Sequence, residues 1–163
     1  MNTGKGETPS VATSLTSVLP PSAIEDDARR TVRRFEDLEV WQSARELTRG
    51  VYRAVKSQEL GRDFALADQM KRAAVSIGSN VAEGFERGTR KQQIEMCYIA
   101  KGSAGELRSQ VITAHDVDLL DNNAFEWLHS QCELCSRQLQ GYISHLRRTQ
   151  TKYPGRKFGG ERE

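Results

Sequence analysis

The positions of proline constrain this chain more than any other feature of its sequence. All four prolines lie outside residues 35–150 of the 163-residue chain. A proline inside a helix removes a backbone hydrogen bond and costs about 3 kcal/mol. A long stretch without proline, and with few alternating runs of β-branched residues, therefore predicts an all-α fold for residues 35–150.

Within this region, apolar residues recur at steps of three and four in four segments, which is the spacing of one helix face. The first helix is expected over residues 38–57 with Asp37 as its cap, and the second over residues 63–86. The third begins after a capping Thr89 and the fourth after a capping Asp121. The near-3.5 repeat is typical of bundles, and short connections make neighbours antiparallel. The sequence predicts an antiparallel up-down four-helix bundle.

The two ends of the chain differ in composition from the middle. Residues 1–34 are rich in Ser, Thr, Gly and Pro and bury too little surface to offset chain entropy, so they are predicted to be a disordered extension. Residues 151–163 are predicted to be a flexible basic tail. Residues 35–150 hold 15 basic and 16 acidic side chains. This balance excludes a uniformly basic nucleic-acid binder but allows a local basic patch.

The sequence predicts a cytoplasmic protein with no membrane partner. No apolar run approaches the ~18–20 residues of a membrane span. The apolar segment near the N-terminus is interrupted by Ser and Thr, unlike an export signal. The three cysteines, Cys97, Cys132 and Cys135, are too few and too unevenly placed for a secreted disulfide framework.

Small and polar residues are concentrated in residues 72–84 and 100–107. Glycine inside a helix costs roughly 1 kcal/mol, so Gly78, Gly102 and Gly105 require a reason. One interpretation is a tight crossing of the second and third helices. The other is a polar subunit interface or ligand pocket. The residues assigned to this polar set are Arg72, Ser76, Asn80, Glu83, Ser103 and Glu106.

The two glutamates of this set are expected to be partly desolvated and to pair with a neighbouring polar or basic side chain. Paired carboxylates can perform acid–base chemistry. Since no nucleophile with an orienting base lies nearby in the sequence, no catalytic residue is assigned.

The same stretches carry a family resemblance. Phe35-Glu-Asp-Leu38 and Gly102-Ser-Ala-Gly-Glu-Leu107, and most specifically Ser76-Ile77-x-x-Asn80-x-Ala82-Glu83-Gly84, resemble a family of bacterial four-helix bundles. That family is named for proteins encoded in intervening sequences of large-subunit ribosomal RNA genes. The chain departs from it at Gly78, where family members commonly have proline. The resemblance implies a closed homo-oligomeric barrel, typically a pentamer, with no known enzymatic activity. The chain is also similar to the accessory protein of diversity-generating retroelements, whose pentamer binds a reverse transcriptase and its RNA.

A basic stripe on the first helix supports nucleic-acid binding independently. Arg45, Arg49, Arg53 and Lys56 follow one another at steps of four, four and three, so they share one helix face. Glu46 is the obvious acidic neighbour. Repeated by rotational symmetry, the stripe would form a ring of positive potential suited to phosphates. The alternative is a solvated face that pairs with neighbouring acidic residues.

The fourth helix carries Glu126-x-x-His129-x-x-Cys132-x-x-Cys135. Such spacings can ligate iron or zinc or support redox chemistry. Only one Glu-x-x-His unit is present, however, and both cysteines fall on the apolar seam, where they pack as small apolar residues. No metal or cofactor is therefore predicted.

Together with the family resemblance, these patterns predict a non-catalytic homo-oligomeric scaffold. Its expected partners are itself, RNA or DNA, and a nucleic-acid enzyme such as a reverse transcriptase. The alternative is a metal- or redox-dependent bundle enzyme that uses Glu83, Glu106, His129 and the cysteines. Trp41 is expected to anchor an end of the bundle or an interface, and stacking on Arg45 or on a base is its alternative role.

Overall fold

A computed structural model describes residues 32–56 and 58–152 of the chain. Its four long helices are α1 (Glu39–Val55), α2 (Phe64–Glu86), α3 (Arg90–Asp116) and α4 (Asn122–Lys152). A single-turn 3₁₀ helix (Phe35–Asp37) precedes α1, and a linker helix (Gln58–Arg62) lies between α1 and α2. No strand occurs in the described ranges. The predicted disorder falls mainly on residues 1–31 and 153–163, which lie outside the described residues.

The four long helices form a closed ring of neighbours. Each packs against the next one along the chain, and α1 completes the ring by packing against α4. The connections are short: residues 87–89 join α2 to α3, and residues 117–121 join α3 to α4. Gly88 makes the first turn with φ 75°, a left-handed conformation that glycine adopts without strain. The prediction of an all-α, antiparallel four-helix bundle is confirmed.

The core lies along the centre of this ring. Leu47, Ile77, Leu107 and Leu139, one from each long helix, are completely buried. Removing such side chains from water stabilises the fold by roughly 1.5–3 kcal/mol each. The described helices include none long and apolar enough to cross a membrane.

Two of the three predicted caps are confirmed. Thr89 Oγ1 accepts a hydrogen bond from the backbone amide three residues later at 3.3 Å, and Asp121 Oδ1 does the same at 2.8 Å. Asp63 caps α2 in the same way at 3.0 Å. The prediction for Asp37 was wrong, because it belongs to the 3₁₀ helix and the apolar Leu38 occupies the cap position of α1.

The linker helix was not predicted. It buries Leu60 completely in the core. Gly61 lies against the end of α1, where an added Cβ would be 2.7 Å from the carbonyl oxygen of Val55. The linker helix therefore closes one end of the bundle instead of forming an open loop.

Candidate nucleic-acid interface

The basic stripe of α1 consists of Arg45, Arg49, Arg53 and Lys56. All four side chains are exposed, and they lie on the side of α1 away from its buried residues. The helical spacing places them on one face because steps of three and four return to the same side of a helix. The structure thus brings together the residues that the sequence assigned to nucleic-acid binding.

Glu46 lies beside the stripe and pairs with two of its guanidiniums. Its carboxylate oxygens are 3.4 Å from Arg49 Nη1 and 3.0 Å from Arg53 Nη2. The hydrogen bond from Arg53 is the main reason that the pKa of Glu46 is lowered. Exposed ion pairs of this kind contribute little to stability, so both guanidiniums can exchange this carboxylate for another anion.

Two arginines of the stripe each lie over a tryptophan. The guanidinium carbon of Arg45 lies 5.8 Å from the ring centroid of Trp41, and that of Arg53 lies 5.5 Å from the ring centroid of Trp127. Trp41 packs against the core and meets Phe35 edge-on at 5.2 Å. Trp41 thus contacts both the core and Arg45 in the single chain.

A pocket of about 820 Å³ lies next to Arg53. It is formed by α1, the linker helix, the α3–α4 connection and the start of α4. Its polar lining residues are Arg53, Glu59, His115, Asp118, Asp121 and Asn122. Trp127 forms an apolar wall of the same pocket. Sequence reasoning missed this site.

Gly50 positions the indole of Trp127 in this pocket. An added methyl group at Gly50 would overlap the six-membered ring of Trp127, so the missing side chain lets the indole lie directly on α1. His115, near the end of α3, also lines the pocket: its ring stacks on Phe125 at 4.2 Å, and its Nε2 forms a 2.9 Å hydrogen bond with Asn122. A glycine inside a helix was the one signal in the sequence that could have indicated this packing.

A second concavity of about 510 Å³ lies on the other side of the stripe, between α1 and α2. Trp41, Arg45 and the exposed Val75 line part of it. Gly78 faces this space, since an added Cβ there would lie 3.7 Å from Trp41 Nε1. Gly78 therefore contacts α1, whereas the sequence reading placed it in a crossing with α3.

The polar residues between α2 and α3 form a hydrogen-bonded cluster. Ser76 Oγ and Ser103 Oγ are 2.9 Å apart across the two helices. The Nδ2 of Asn80 donates to the backbone oxygen of Ser76 at 2.7 Å and to its Oγ at 2.9 Å. Ser103 is buried. Three of the six residues assigned to the polar set are thus brought together.

The glycines of α3 do not form the predicted tight crossing. Apart from the adjacent residues and the nearby backbone of α3 itself, no described atom lies within 4 Å of a Cβ added at Gly102 or Gly105, because both positions are exposed. The close approach is made by Gly84 of α2 instead. An added Cβ there would lie 2.8 Å from Met96 Cβ and 3.3 Å from the backbone of Gln93.

The three charged residues of the polar set are exposed in the single chain, so the expected desolvation of its two glutamates was wrong. Each pairs with a residue one turn away in its own helix: Glu83 with Arg87, Arg72 with Asp68, and Glu106 with Gln110. These positions face outward, where water solvates the charges. Both carboxylates are therefore solvated in the single chain.

The cysteines of α4 lie in the apolar core. Burial raises the pKa of Cys132 to about 12 and that of Cys135 to about 11. Both thiols are therefore protonated at neutral pH, whereas metal ligation and redox attack use the thiolate. His129 packs near the ring of Phe125 at 5.5 Å, and Glu126 is exposed. Residues 32–56 and 58–152 contain no group of three or more His, Cys, Asp or Glu arranged to hold a metal ion.

Comparison with known proteins gave one family and a similar fold. Residues 36–141 match the family described as 23S rRNA-intervening sequence protein. A crystal structure of a protein of unknown function from the S23 ribosomal protein family of Bacteroides thetaiotaomicron is similar, with a TM-score of 0.60 and 20% identity. The match covers 64% of this chain and 95% of that chain, and at this identity it shows the fold alone. No curated protein matches the chain.

Proposed function

Since the chain belongs to the 23S rRNA-intervening sequence protein family, we propose that it is a non-catalytic homo-oligomeric scaffold that binds RNA through the basic stripe of α1. The assembly is a closed pentamer, as the family resemblance implies. A nucleic-acid enzyme such as a reverse transcriptase is the protein partner that this scaffold holds.

The composition of the stripe supports this function. Three exposed guanidiniums and one ammonium share a helix face, and Glu46 is the one carboxylate among the described residues that pairs with them. The face therefore keeps a positive charge although residues 35–150 as a whole are nearly neutral. A ring of such faces attracts a phosphate backbone and makes binding depend on salt.

Exposed apolar side chains support the assembly. Val75 on α2 and Tyr98, Ile99 and Ile112 on α3 are each exposed by 39–52% in the single chain. Apolar surface left in contact with water on neighbouring helices is typical of protein interfaces. The proposed pentamer covers this surface and repeats the stripe around its axis.

The chain offers a matched test of the stripe. Arg49 and Arg53 share Glu46, and Arg108 and Arg137 share Glu133 at 3.7 and 3.8 Å on another side of the bundle. The variants R49Q/R53Q and R108Q/R137Q therefore remove the same charge and comparable ion pairs. Only the first pair belongs to the stripe.

We expect R49Q/R53Q to weaken RNA binding and to lower the slope of log affinity against log salt by up to about 1.4–1.8. R108Q/R137Q should leave both close to wild type. Because backbone contacts do not read sequence, the loss should be similar for unrelated RNAs. Anisotropy titrations at several salt concentrations measure both quantities. Equal losses in the two variants would show that net charge, and not the stripe, governs binding.

A further inference from the structure

We propose that the pocket beside Arg53 captures an unpaired, amino-bearing nucleobase from the RNA whose backbone lies on the stripe. This inference rests on the proposed function and deepens it, because it assigns single-stranded RNA to the scaffold. It is carried by the position of the pocket, by the Arg53–Trp127 cation–π pair on its wall and by the charges around it.

The pocket and the stripe are continuous. Arg53 belongs to the stripe and also lines the pocket, whose volume of about 820 Å³ is within the range of small-molecule sites. The side chain of Arg53 pairs with Glu46 beside the stripe and lies over Trp127 in the pocket. An RNA strand that follows the stripe to Arg53 therefore arrives at the pocket.

Arg53 and Trp127 bring a guanidinium plane and an indole ring to the pocket, where an unpaired base can contact them. The Arg53 guanidinium lies 5.5 Å from the centroid of the Trp127 ring, and both groups line the pocket. Unpaired bases stack on aromatic rings and on arginine planes, which duplex RNA cannot do because its bases are already stacked. The indole is firmly placed, since it rests on the bare backbone of Gly50.

The remaining charges favour a base over a phosphate. Glu59, Asp118 and Asp121 line the pocket, and their carboxylates repel phosphate but accept hydrogen bonds from N–H groups. Adenine, cytosine and guanine each carry an exocyclic amino group, which uracil lacks. The stripe holds the backbone and the acidic wall holds the base edge, so the two surfaces have separate roles.

Fluorescence tests the inference directly because the chain has two tryptophans. The variant W41F leaves Trp127 as the sole tryptophan and keeps an aromatic ring next to Phe35. We expect Trp127 emission to be quenched when the protein binds an oligo(A) single strand. An oligo(U) strand should quench it less, and an RNA duplex should leave it unchanged at saturation.

Two further variants measure the effect on affinity. W127L should weaken oligo(A) binding roughly tenfold, the scale of one lost base stack, and leave duplex binding unchanged. E59A changes an exposed residue of the linker helix and should reduce the preference for oligo(A) over oligo(U). This second variant, together with the W41F titration, keeps the test decisive if W127L fails to fold.

The inference and the proposed function fail in different ways. Unchanged Trp127 emission at saturating oligo(A), or equal loss of single-strand and duplex affinity in W127L, would overturn base capture. The proposed function would stand in that case if R49Q/R53Q still binds more weakly than R108Q/R137Q. If the wild-type protein binds neither RNA at low salt, both are wrong.

Discussion

Each of the three cysteines lies among apolar core side chains. Burial raises the pKa of Cys97 and Cys132 to about 12 and that of Cys135 to about 11. The same burial raises the pKa of Tyr142, whose hydroxyl bonds to the buried amide of Gln93 at 2.8 Å. Core packing therefore keeps all four groups protonated in the folded chain at alkaline pH values where the same groups in water would ionise.

These shifts predict a loss of stability at alkaline pH. In the unfolded chain a thiol ionises near 9.0, whereas the folded thiols ionise between about 11 and 12. The native state holds more protons in this window, so the free energy of unfolding should fall as pH rises from about 9 towards 12. The stabilising effect should be complete below pH 9.

Urea unfolding of wild type and Cys132→Ala at several pH values measures this effect. The variant should be less stable at neutral pH because of its cavity, but it should lose less stability between pH 9 and 12. Parallel curves for the two proteins would contradict the assignment of the pH dependence to this thiol.

The packing of α1 against α4 depends on a single missing side chain. Gly50→Ala would place a methyl group in the indole of Trp127, and overpacking of this kind typically costs about 1–3 kcal/mol. Gly141→Ala in α4 is the matched control, since the space around that position is open among the described residues and it lies outside the proposed α3 interface. Alanine there should be neutral or stabilising by up to about 1 kcal/mol, because it favours the helix.

Thermal unfolding of Gly50→Ala and Gly141→Ala compares the two positions. We expect a lower melting temperature for the first variant and an unchanged or higher one for the second. If both variants melt like wild type, Trp127 can move away from α1 without cost, and the close packing at Gly50 is not a constraint.

The sequence predicted those features of the helices whose causes lie within a few residues. Thr89 and Asp121 cap helices by bonding an amide three positions away, and their side chains show this directly. Glycines are harder to interpret because they have no side chain to reveal which helix face they occupy. The sequence pattern therefore placed Gly102 and Gly105 in a crossing of α2 and α3 and gave no indication of the role of Gly50.

The stripe and the pocket also differ in how far the sequence alone could predict them. The stripe could be predicted because its residues lie on one helix at helical spacing. The pocket combines Arg53, Glu59, Asp118 and Trp127 from four parts of the chain. Their proximity follows from the linker helix and from the crossing of α1 and α4, neither of which is encoded in residue spacing.

For the whole molecule, the proposed assembly depends on apolar surface outside the core. Ile99 on α3 is 52% exposed in the single chain, and Val117, after the end of α3, is 55% exposed. If α3 lies in the subunit interface, Ile99→Asp should release smaller particles because it buries a charge there. Val117→Asp, with the same chemical change, is the control and should leave the assembly intact.

Light scattering and sedimentation measure the particle mass of both variants, and circular dichroism checks that their helices are retained. A wild-type mass near that of a single 18.3 kDa chain would exclude the pentamer. Equal effects of the two substitutions would show that added charge, and not the α3 surface, controls assembly.

Because Glu46 pairs with two arginines of the stripe, RNA binding there replaces one anion, the Glu46 carboxylate, with another, an RNA phosphate. Arg49 and Arg53 already hold this anion before any phosphate arrives. When a phosphate takes its place, the released carboxylate attracts a cation from solution, which offsets part of the cation release from the RNA. The salt slope of binding will then report fewer phosphates than the protein actually contacts, and replacing Glu46 with glutamine should steepen that slope while tightening binding.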